Sequence, residues 1–240
     1  MQQDTVVIIP ARYASTRLPA KALKMIGGKT LIQWVWENAV NAKVGPVFIA
    51  TDHQEIAGCA QGFGADVIMT CSDCSTGTDR VAEAVFKLGQ RYSRVVNVQG
   101  DLPFIHPKEI NKVLLPLDAG FDVGTLVACM QPQQLQDPGS VKAIITASEN
   151  AQVQRCHWFC RAALSYGHFH LGVYAYAVDA LAAFARSPQH PLEKVESLEQ
   201  LRFLCAGKTI GATLISTLSL EVNTQEDLQR VRDEVALLHG

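Results

Sequence analysis

An α/β fold built on a doubly wound, mostly parallel sheet is predicted by three features of the sequence. Short apolar, β-branched runs alternate with amphipathic stretches through about residue 117, the pattern of parallel strands crossed over by helices on both faces. Polar clusters follow the ends of three of these runs, where such sheets place their ligands. Beyond residue 120 the rhythm changes, which predicts a small subdomain, approximately 120–190, inserted into a single domain of 240 residues.

The elements follow in order. Thr5 to Ile9 reads as a buried strand ended by Pro10. Thr30 to Ala42 reads as a helix with Leu31, Val35 and Ala39 on one face. Val47 to Ala50 is a strand, Gln54 to Phe63 a helix closing on Gly64, and Asp66 to Met69 a strand. Asp79 to Arg91 is a helix, Arg94 to Val98 a strand, and Pro107 to Leu117 a helix with proline in its first turn. Asp122 to Cys129, Lys142 to Thr146, His170 to Tyr176 and Ile210 to Ser216 read as strands. Leu192 to Cys205 reads as one helix, and Gln225 to Leu238 as a closing helix capped by Thr224.

Composition narrows the function. The chain is 48% hydrophobic and 18% charged, with a net charge of −2. Near-neutrality excludes a broad nucleic-acid-binding face, which needs a basic surface, so local basic clusters point to small anions. The seven cysteines are odd in number and no secretory signal is recognised, which predicts free thiols and a cytoplasmic protein. Cys71 and Cys74 have CxxC spacing and Cys156 lies four residues before Cys160, but supporting ligand pairs for zinc are missing. No apolar run approaches the roughly 20 residues of a membrane span.

The opening loop holds Arg12, Arg17 and Lys21 within ten residues, with Ser15 and Thr16 between them. Cations and hydroxyls on a loop at a strand end suit a triphosphate. The loop is not a Walker A, because no Gly-Lys-Ser/Thr follows a GxxxxG spacing. Gln99-Gly100-Asp101 follows another strand, and a carboxylate there suits Mg²⁺, which takes few protein ligands and leaves the rest to water and phosphate. Ser75-Thr76-Gly77-Thr78-Asp79-Arg80 reads as a helix start capped by Thr78, and equally as a glycine turn that lets a base approach. Arg161 and His170 are expected to donate to an anionic, hydroxylated substrate. His168 and His170 are expected to flank Phe169 in a turn, and His157 and His168 to lie at the surface. Glu193, Glu196 and Gln200 share a helix face by their spacing, which is either a solvated face or a binding one.

Several motifs in order resemble one family. Ile9-Pro10-Ala11-Arg12-Tyr13-Ala14-Ser15-Thr16-Arg17-Leu18-Pro19-Ala20-Lys21 is similar to the signature of the 3-deoxy-manno-octulosonate (Kdo) cytidylyltransferases, the CMP-Kdo synthetases. Matches continue at Ala50-Thr51-Asp52, Gly77 to Arg80, Asn97 to Asp101, Trp158 to Arg161, His170 to Tyr176, Pro191 to Arg202 and Val222 to Leu228. The resemblance implies a Rossmann-like nucleotidyltransferase fold whose inserted subdomain serves dimerisation and sugar binding. It implies a homodimer and the reaction CTP plus Kdo giving CMP-Kdo and pyrophosphate, for lipopolysaccharide biosynthesis. By that resemblance Arg12, Lys21 and Asp101 are catalytic. Pro10, Ala11, Arg12, Ser15, Lys21, Thr78, Arg80 and Asp101 bind CTP. Gln99, Arg161, His170, Tyr174, Glu196 and Gln200 bind the sugar acid, and Asp101 with Asn223 holds Mg²⁺.

The chain departs from the family's pattern at a few places. Ala20 stands where glycine is usual, Leu102 where glutamate is usual, and Trp158-Phe159-Cys160-Arg161 where tyrosine-phenylalanine-serine-arginine is usual. Asn223 stands where the family has a second metal-binding aspartate. Only eight residues separate Arg161 from His170, where the family has a longer loop bordering the sugar site. Two alternatives therefore stand beside Kdo activation: a weak or inactive nucleotide-binding paralogue, and a cytidylyltransferase for another sugar acid, such as 8-amino Kdo or a nonulosonate.

Overall fold

The computed structural model describes residues 4–15, 17–89, 91–216 and 220–239, with 238 and 239 described by backbone alone. In chain order the elements are β1 (Thr5–Ala11), a 3-10 turn (Lys21–Leu23), β2 (Met25–Ile26), β3 (Lys29–Thr30), α1 (Leu31–Ala42), β4 (Val47–Thr51), α2 (Gln54–Gly62), β5 (Asp66–Met69), α3 (Gly77–Leu88), β6 (Arg94–Val98), α4 (Pro107–Lys112) and α5 (Leu115–Asp118). They continue as β7 (Val123–Cys129), α6 (Pro132–Gln136), β8 (Lys142–Ala147), β9 (Val153–Cys160), β10 (His168–Ala177), α7 (Val178–Arg186), α8 (Pro191–Glu196), α9 (Leu201–Cys205), β11 (Ile210–Ile215) and α10 (Gln225–His239). They form two compact units. The first takes in the described residues up to Arg91, Asn97–Ile110 and those beyond 219; the second takes in Tyr92–Val96 and the described residues from Asn111 to Ser216.

The first unit carries the doubly wound pattern, with strand order β5-β4-β1 and the last two residues of β6, Asn97 and Val98. β1 and β4 are parallel with Val7 opposite Val47, and β4 and β5 are parallel with Phe48 opposite Asp66. All seven residues of β1 are buried, as expected of a central parallel strand whose two faces are covered by helices. Pro10 does not end this strand. It stays in register opposite Ala50, because its ring-fixed φ is compatible with extended backbone.

α3 starts at Gly77, two residues ahead of the expected start, because Thr76 rather than Thr78 is the cap. The Thr76 hydroxyl accepts the Asp79 N–H at 3.1 Å, and the Asp79 carboxylate accepts the Thr76 N–H at 3.0 Å. This reciprocal box satisfies two orphan donors. The same Thr-x-x-Asp device starts α10, where Thr224 accepts from Asp227 N at 3.2 Å and Asp227 accepts from Thr224 N at 2.9 Å. α10 and the chain leading into it pack on the opening loop through one apolar cluster: Leu18, Ile26, Leu31, Val222, Leu228, Val231 and Val235. The Val222 N–H also donates to the Asp101 carbonyl at 2.9 Å.

The second unit has strand order β10-β7-β11-β9-β8. β11 runs parallel to β7; β10 against β7, β9 against β11 and β8 against β9 are antiparallel. Two expected helices are each broken in two. Pro116 splits the 107–117 helix into α4 and α5, since a proline ring clashes with the carbonyl four residues back. That carbonyl, of Lys112, instead accepts from the Thr213 hydroxyl at 3.1 Å. The 192–205 helix divides at Ser197, which sits at φ +54°, between α8 and α9. Glu193, Glu196 and Gln200 therefore do not lie along one helix. β9, α6 and α7 go beyond the expected elements. In β9 the outward Gln154, Arg155 and His157 interrupt the apolar spacing of the buried Val153, Cys156 and Phe159.

Glu193 has a structural job. Its carboxylate takes the Arg202 Nη2 at 2.6 Å and Nε at 2.8 Å, and that guanidinium lies 3.8 Å from the Phe184 ring centre. Both side chains are almost fully enclosed, so neutralising one leaves a buried unpaired charge. Glu193→Gln is expected to lower stability by about 3 kcal/mol, read as a reduced urea midpoint with an unchanged slope.

Candidate functional site

The first unit holds the residues expected to bind the triphosphate, on the loop that follows β1. Arg12 leaves the strand exposed, and among the described residues its guanidinium makes no hydrogen bond or ion pair. Tyr13 pins the loop: its ring stacks on His53 at 3.7 Å and its N–H donates to the Asp52 carboxylate at 3.3 Å. Asp52 is itself held by Arg80, whose Nη2 donates to it at 2.8 Å. Arg80 is 3% exposed and its Nη1 reaches the Thr70 hydroxyl and the Cys71 carbonyl. It therefore acts on the loop through Asp52 rather than as a free cation. Thr78 is fully buried. Ser15 is half-buried and Arg17 exposed, and Thr16 lies outside the described residues.

The charged centre is Lys21. Its ammonium donates to the Asp101 carboxylate at 2.9 Å and to Asn223 Oδ1 at 3.3 Å. Arg17 Nη2 reaches the same Asn223 oxygen at 3.1 Å. The Asn223 Nδ2 donates to Glu221 at 3.2 Å, which fixes the amide so that its oxygen faces the two cations. The Gln99 amide lies against Gly77: a Cβ there would come within 3.2–3.3 Å of its amide atoms. The glycine expected to admit a base thus also makes room for Gln99.

The second unit holds Arg161, His170, Tyr174, Glu196 and Gln200, five of the residues expected to bind the sugar acid. Arg161 closes β9, its N–H donating to the Glu196 carboxylate at 2.9 Å and its Nε to the Glu196 carbonyl at 3.2 Å. Its Nη1 donates to the Pro138 and Gly139 carbonyls at 3.2 Å. Among the described residues no protein acceptor takes its Nη2. His170 is buried on β10, not in a turn, with Nε2 3.0 Å from the Thr125 hydroxyl. Its ring meets Phe159 edge-on at 4.9 Å and Tyr174 at 5.4 Å. Tyr174 stacks on Tyr176 at 5.8 Å, and Tyr176 on Phe203 of α9 at 5.4 Å. Gln200 precedes α9 and is 2% exposed, and among the described residues its Nε2 has no hydrogen-bond partner. His168 is half-buried and His157 is exposed, bonded to Thr146 at 2.7 Å.

The cytidylyltransferase family model matches residues 6–210. Two curated relatives named 3-deoxy-manno-octulosonate cytidylyltransferase are similar over nearly the whole chain. The one from Bartonella henselae is 41% identical, covering 98% of this chain and all of its own length. The one from Methylorubrum populi is 42% identical, covering 98% of each. A solved structure of CMP:2-keto-3-deoxy-manno-octonic acid synthetase complexed with CTP superposes with a TM-score of 0.89 at 34% identity, over 98% of this chain and 99% of that one. This chain belongs to the CMP-Kdo synthetase family.

Against that family's pattern the departures acquire structure. Ala20 sits at φ +51°, the left-handed region that suits glycine and costs an L-residue about 1–2 kcal/mol. Its N–H donates to the Tyr13 carbonyl at 3.3 Å, so the loop's own bond holds the strained position. Leu102 is fully buried, so this position serves the core. The short link from β9 to β10 turns at Gly167, φ +132°, and Leu164 N–H bonds the Leu135 carbonyl at 3.1 Å. Among the described residues no three His, Cys, Asp or Glu side chains converge to hold a metal, and no helix is long and apolar enough to cross a membrane.

The surroundings of His170 keep its ring neutral, so any donation from it is through a single N–H. Burial, with the Arg161 guanidinium adding to it, lowers its pKa from 6.5 to about 3. The folded ring stays neutral while the unfolded one takes a proton near 6.5, so the unfolded chain binds more protons between those values. Stability is therefore present above pH 6.5 and lost as pH falls toward 3. The expected contribution is a slope of about 1.4 kcal/mol per pH unit between pH 6 and 4. Urea unfolding across that range should show it, and His170→Gln should abolish that share of the slope.

Proposed function

We propose that the protein is a cytidylyltransferase that activates Kdo or a closely related sugar acid, giving CMP-sugar and pyrophosphate for lipopolysaccharide assembly. The observation that carries this reading is the Lys21 ammonium held between Asp101 and Asn223 at the end of β1, in a chain of this family. The anomeric hydroxyl of the sugar acid would attack the α-phosphorus of CTP in line, so catalysis is mainly positioning and charge stabilisation. Arg12 and Lys21 hold the triphosphate, with Arg17 beside them. Arg80 and Asp52 keep the loop backbone in place through Tyr13.

The residues present fit Mg²⁺. The Asp101 carboxylate and the Asn223 amide oxygen already converge on one positive charge, and oxygen donors of this kind are what Mg²⁺ takes. Asp101 and Asn223 would hold the ion, which when bound neutralises phosphate charge.

In the second unit Arg161 keeps Nη2 for the sugar carboxylate, and Gln200 supplies a donor for a hydroxyl. A buried amide left unbonded costs about 1–3 kcal/mol, so the orphaned Gln200 Nε2 supports a ligand there. The reading also includes a cytoplasmic homodimer.

Incubation with CTP, Mg²⁺ and a panel of Kdo, 8-amino Kdo and nonulosonates should release pyrophosphate with at least one acceptor. Silence with all of them would sink the enzyme reading and leave the nucleotide-binding paralogue. Lys21→Met should lower kcat/KM by about 10²–10³-fold, with the thermal shift given by CTP reduced. Asn223→Asp should lower the Mg²⁺ concentration giving half-maximal rate, since a carboxylate holds the ion more tightly than an amide does.

A further inference from the structure

We infer that Thr125 is a positioning residue that locks His170 as its Nε2–H tautomer, presenting Nδ1 as an acceptor to a hydroxyl or ammonium of the sugar acid. The inference rests on the cytidylyltransferase reading for the identity of that ligand, and on the geometry of β7 and β10 for the lock itself.

The ladder between β10 and β7 is irregular. β10 pairs with β7 in register at His170–Val127 and Leu171–Leu126, then slips so that Tyr174 faces Thr125. Gly172 and Val173 fall in the slip, and their backbone groups lose the regular ladder. Val173 and Thr125 are both fully buried, so water does not replace the lost partner, and an unpaired buried carbonyl is costly. The Thr125 hydroxyl takes the place of the ladder, donating to the Val173 carbonyl at 2.9 Å, with the Leu171 carbonyl at 3.4 Å.

A hydroxyl has one proton and two lone pairs. With the Thr125 proton directed to a carbonyl, which only accepts, the contact with His170 Nε2 at 3.0 Å has one consistent polarity. Nε2 carries the hydrogen and donates to Oγ. A neutral imidazole has a single N–H, so Nδ1 is left with a lone pair. Among the described residues no protein group bonds Nδ1. The low basicity imposed by burial and Arg161 keeps the second proton off.

The two sugar-directed groups then have opposite polarity. Arg161 offers N–H donors to a carboxylate, whereas His170 offers a lone pair that repels one. The part of the sugar acid facing His170 must therefore donate, as a polyol chain or an amino-sugar ammonium does. A site built to pair with such a donor rejects analogues that lack it.

The test reads the ring directly. The protein is labelled with ¹⁵N-histidine and the His170 ring is assigned by its loss in His170→Gln. The native ring should show its proton on Nε2 at pH 7. Thr125→Val removes the hydroxyl and should yield a mixed or inverted tautomer, while Thr125→Ser should keep the native one. KM for the sugar acid should rise about tenfold in Thr125→Val with CTP KM unchanged, and return to within about threefold in Thr125→Ser. A native ring protonated on Nδ1 overturns the proposal. So does a Thr125→Val protein with native tautomer and native sugar KM. The ring signals come from the free protein, so failure of the lock is distinguishable from failure of the cytidylyltransferase reading.

Discussion

One ammonium ties together three distant segments of the first unit. Lys21 lies in a loop near the N-terminus, Asp101 beyond β6 and Asn223 ahead of the last helix, and Lys21 bonds both others. The apolar cluster of Leu18 with Val222, Leu228 and Val231 brings the C-terminal segment onto the loop, and the Val222–Asp101 backbone bond sets its height. Burial supplies the attraction; the charge sets the register. The cation alone is partly exposed and would be worth little as a surface pair, so its role is geometric.

A second constraint lies in the other unit. The slip between β10 and β7 opens the strand just after His170, and bulges of this kind re-aim side chains. Here the slip leaves a carbonyl that the Thr125 hydroxyl meets at 2.9 Å, and so fixes what the neighbouring imidazole can offer. The aromatic row from His170 through Tyr174 and Tyr176 to Phe203 ties that strand to α9, which follows Gln200. Backbone irregularity, hydrogen bonding and ring packing thus act on the same few side chains.

Much of this was legible in the sequence. The strand ends with their polar clusters were, because a buried parallel strand reads as a continuous apolar run and its ligand residues follow it. β5 and β6 fall where periodicity puts them. Less legible was anything set by a single breaker. Pro116 and Ser197 each divide a helix whose hydrophobic spacing continues through the break, and spacing is blind to both. Thr76 and Thr78 are equivalent cap candidates by composition, and only the reciprocal partner Asp79 separates them. Thr125 was invisible for another reason: inside Val123–Cys129 it reads as one more β-branched strand former, and its hydroxyl matters only because of a register slip on another strand. The buried service of Arg80 and Glu193 was hidden in the same way, since their partners Asp52 and Arg202 are found by tertiary packing.

The amide at 223 changes the electrostatics of the centre as well as its donor set. Arg17 and Lys21 bring two positive charges to the Asn223 oxygen, while Asp101 bonds Lys21 and Glu221 accepts from the Asn223 amide nitrogen at 3.2 Å. Two cations and two carboxylates thus surround one neutral side chain. A carboxylate at 223 would stand against Glu221 and lose the amide donor that Glu221 accepts from. The amide weakens the hold on a divalent cation, which prefers charged oxygen. A divalent ion placed there would therefore rest mainly on Asp101, the only carboxylate bonded to Lys21 among the described residues.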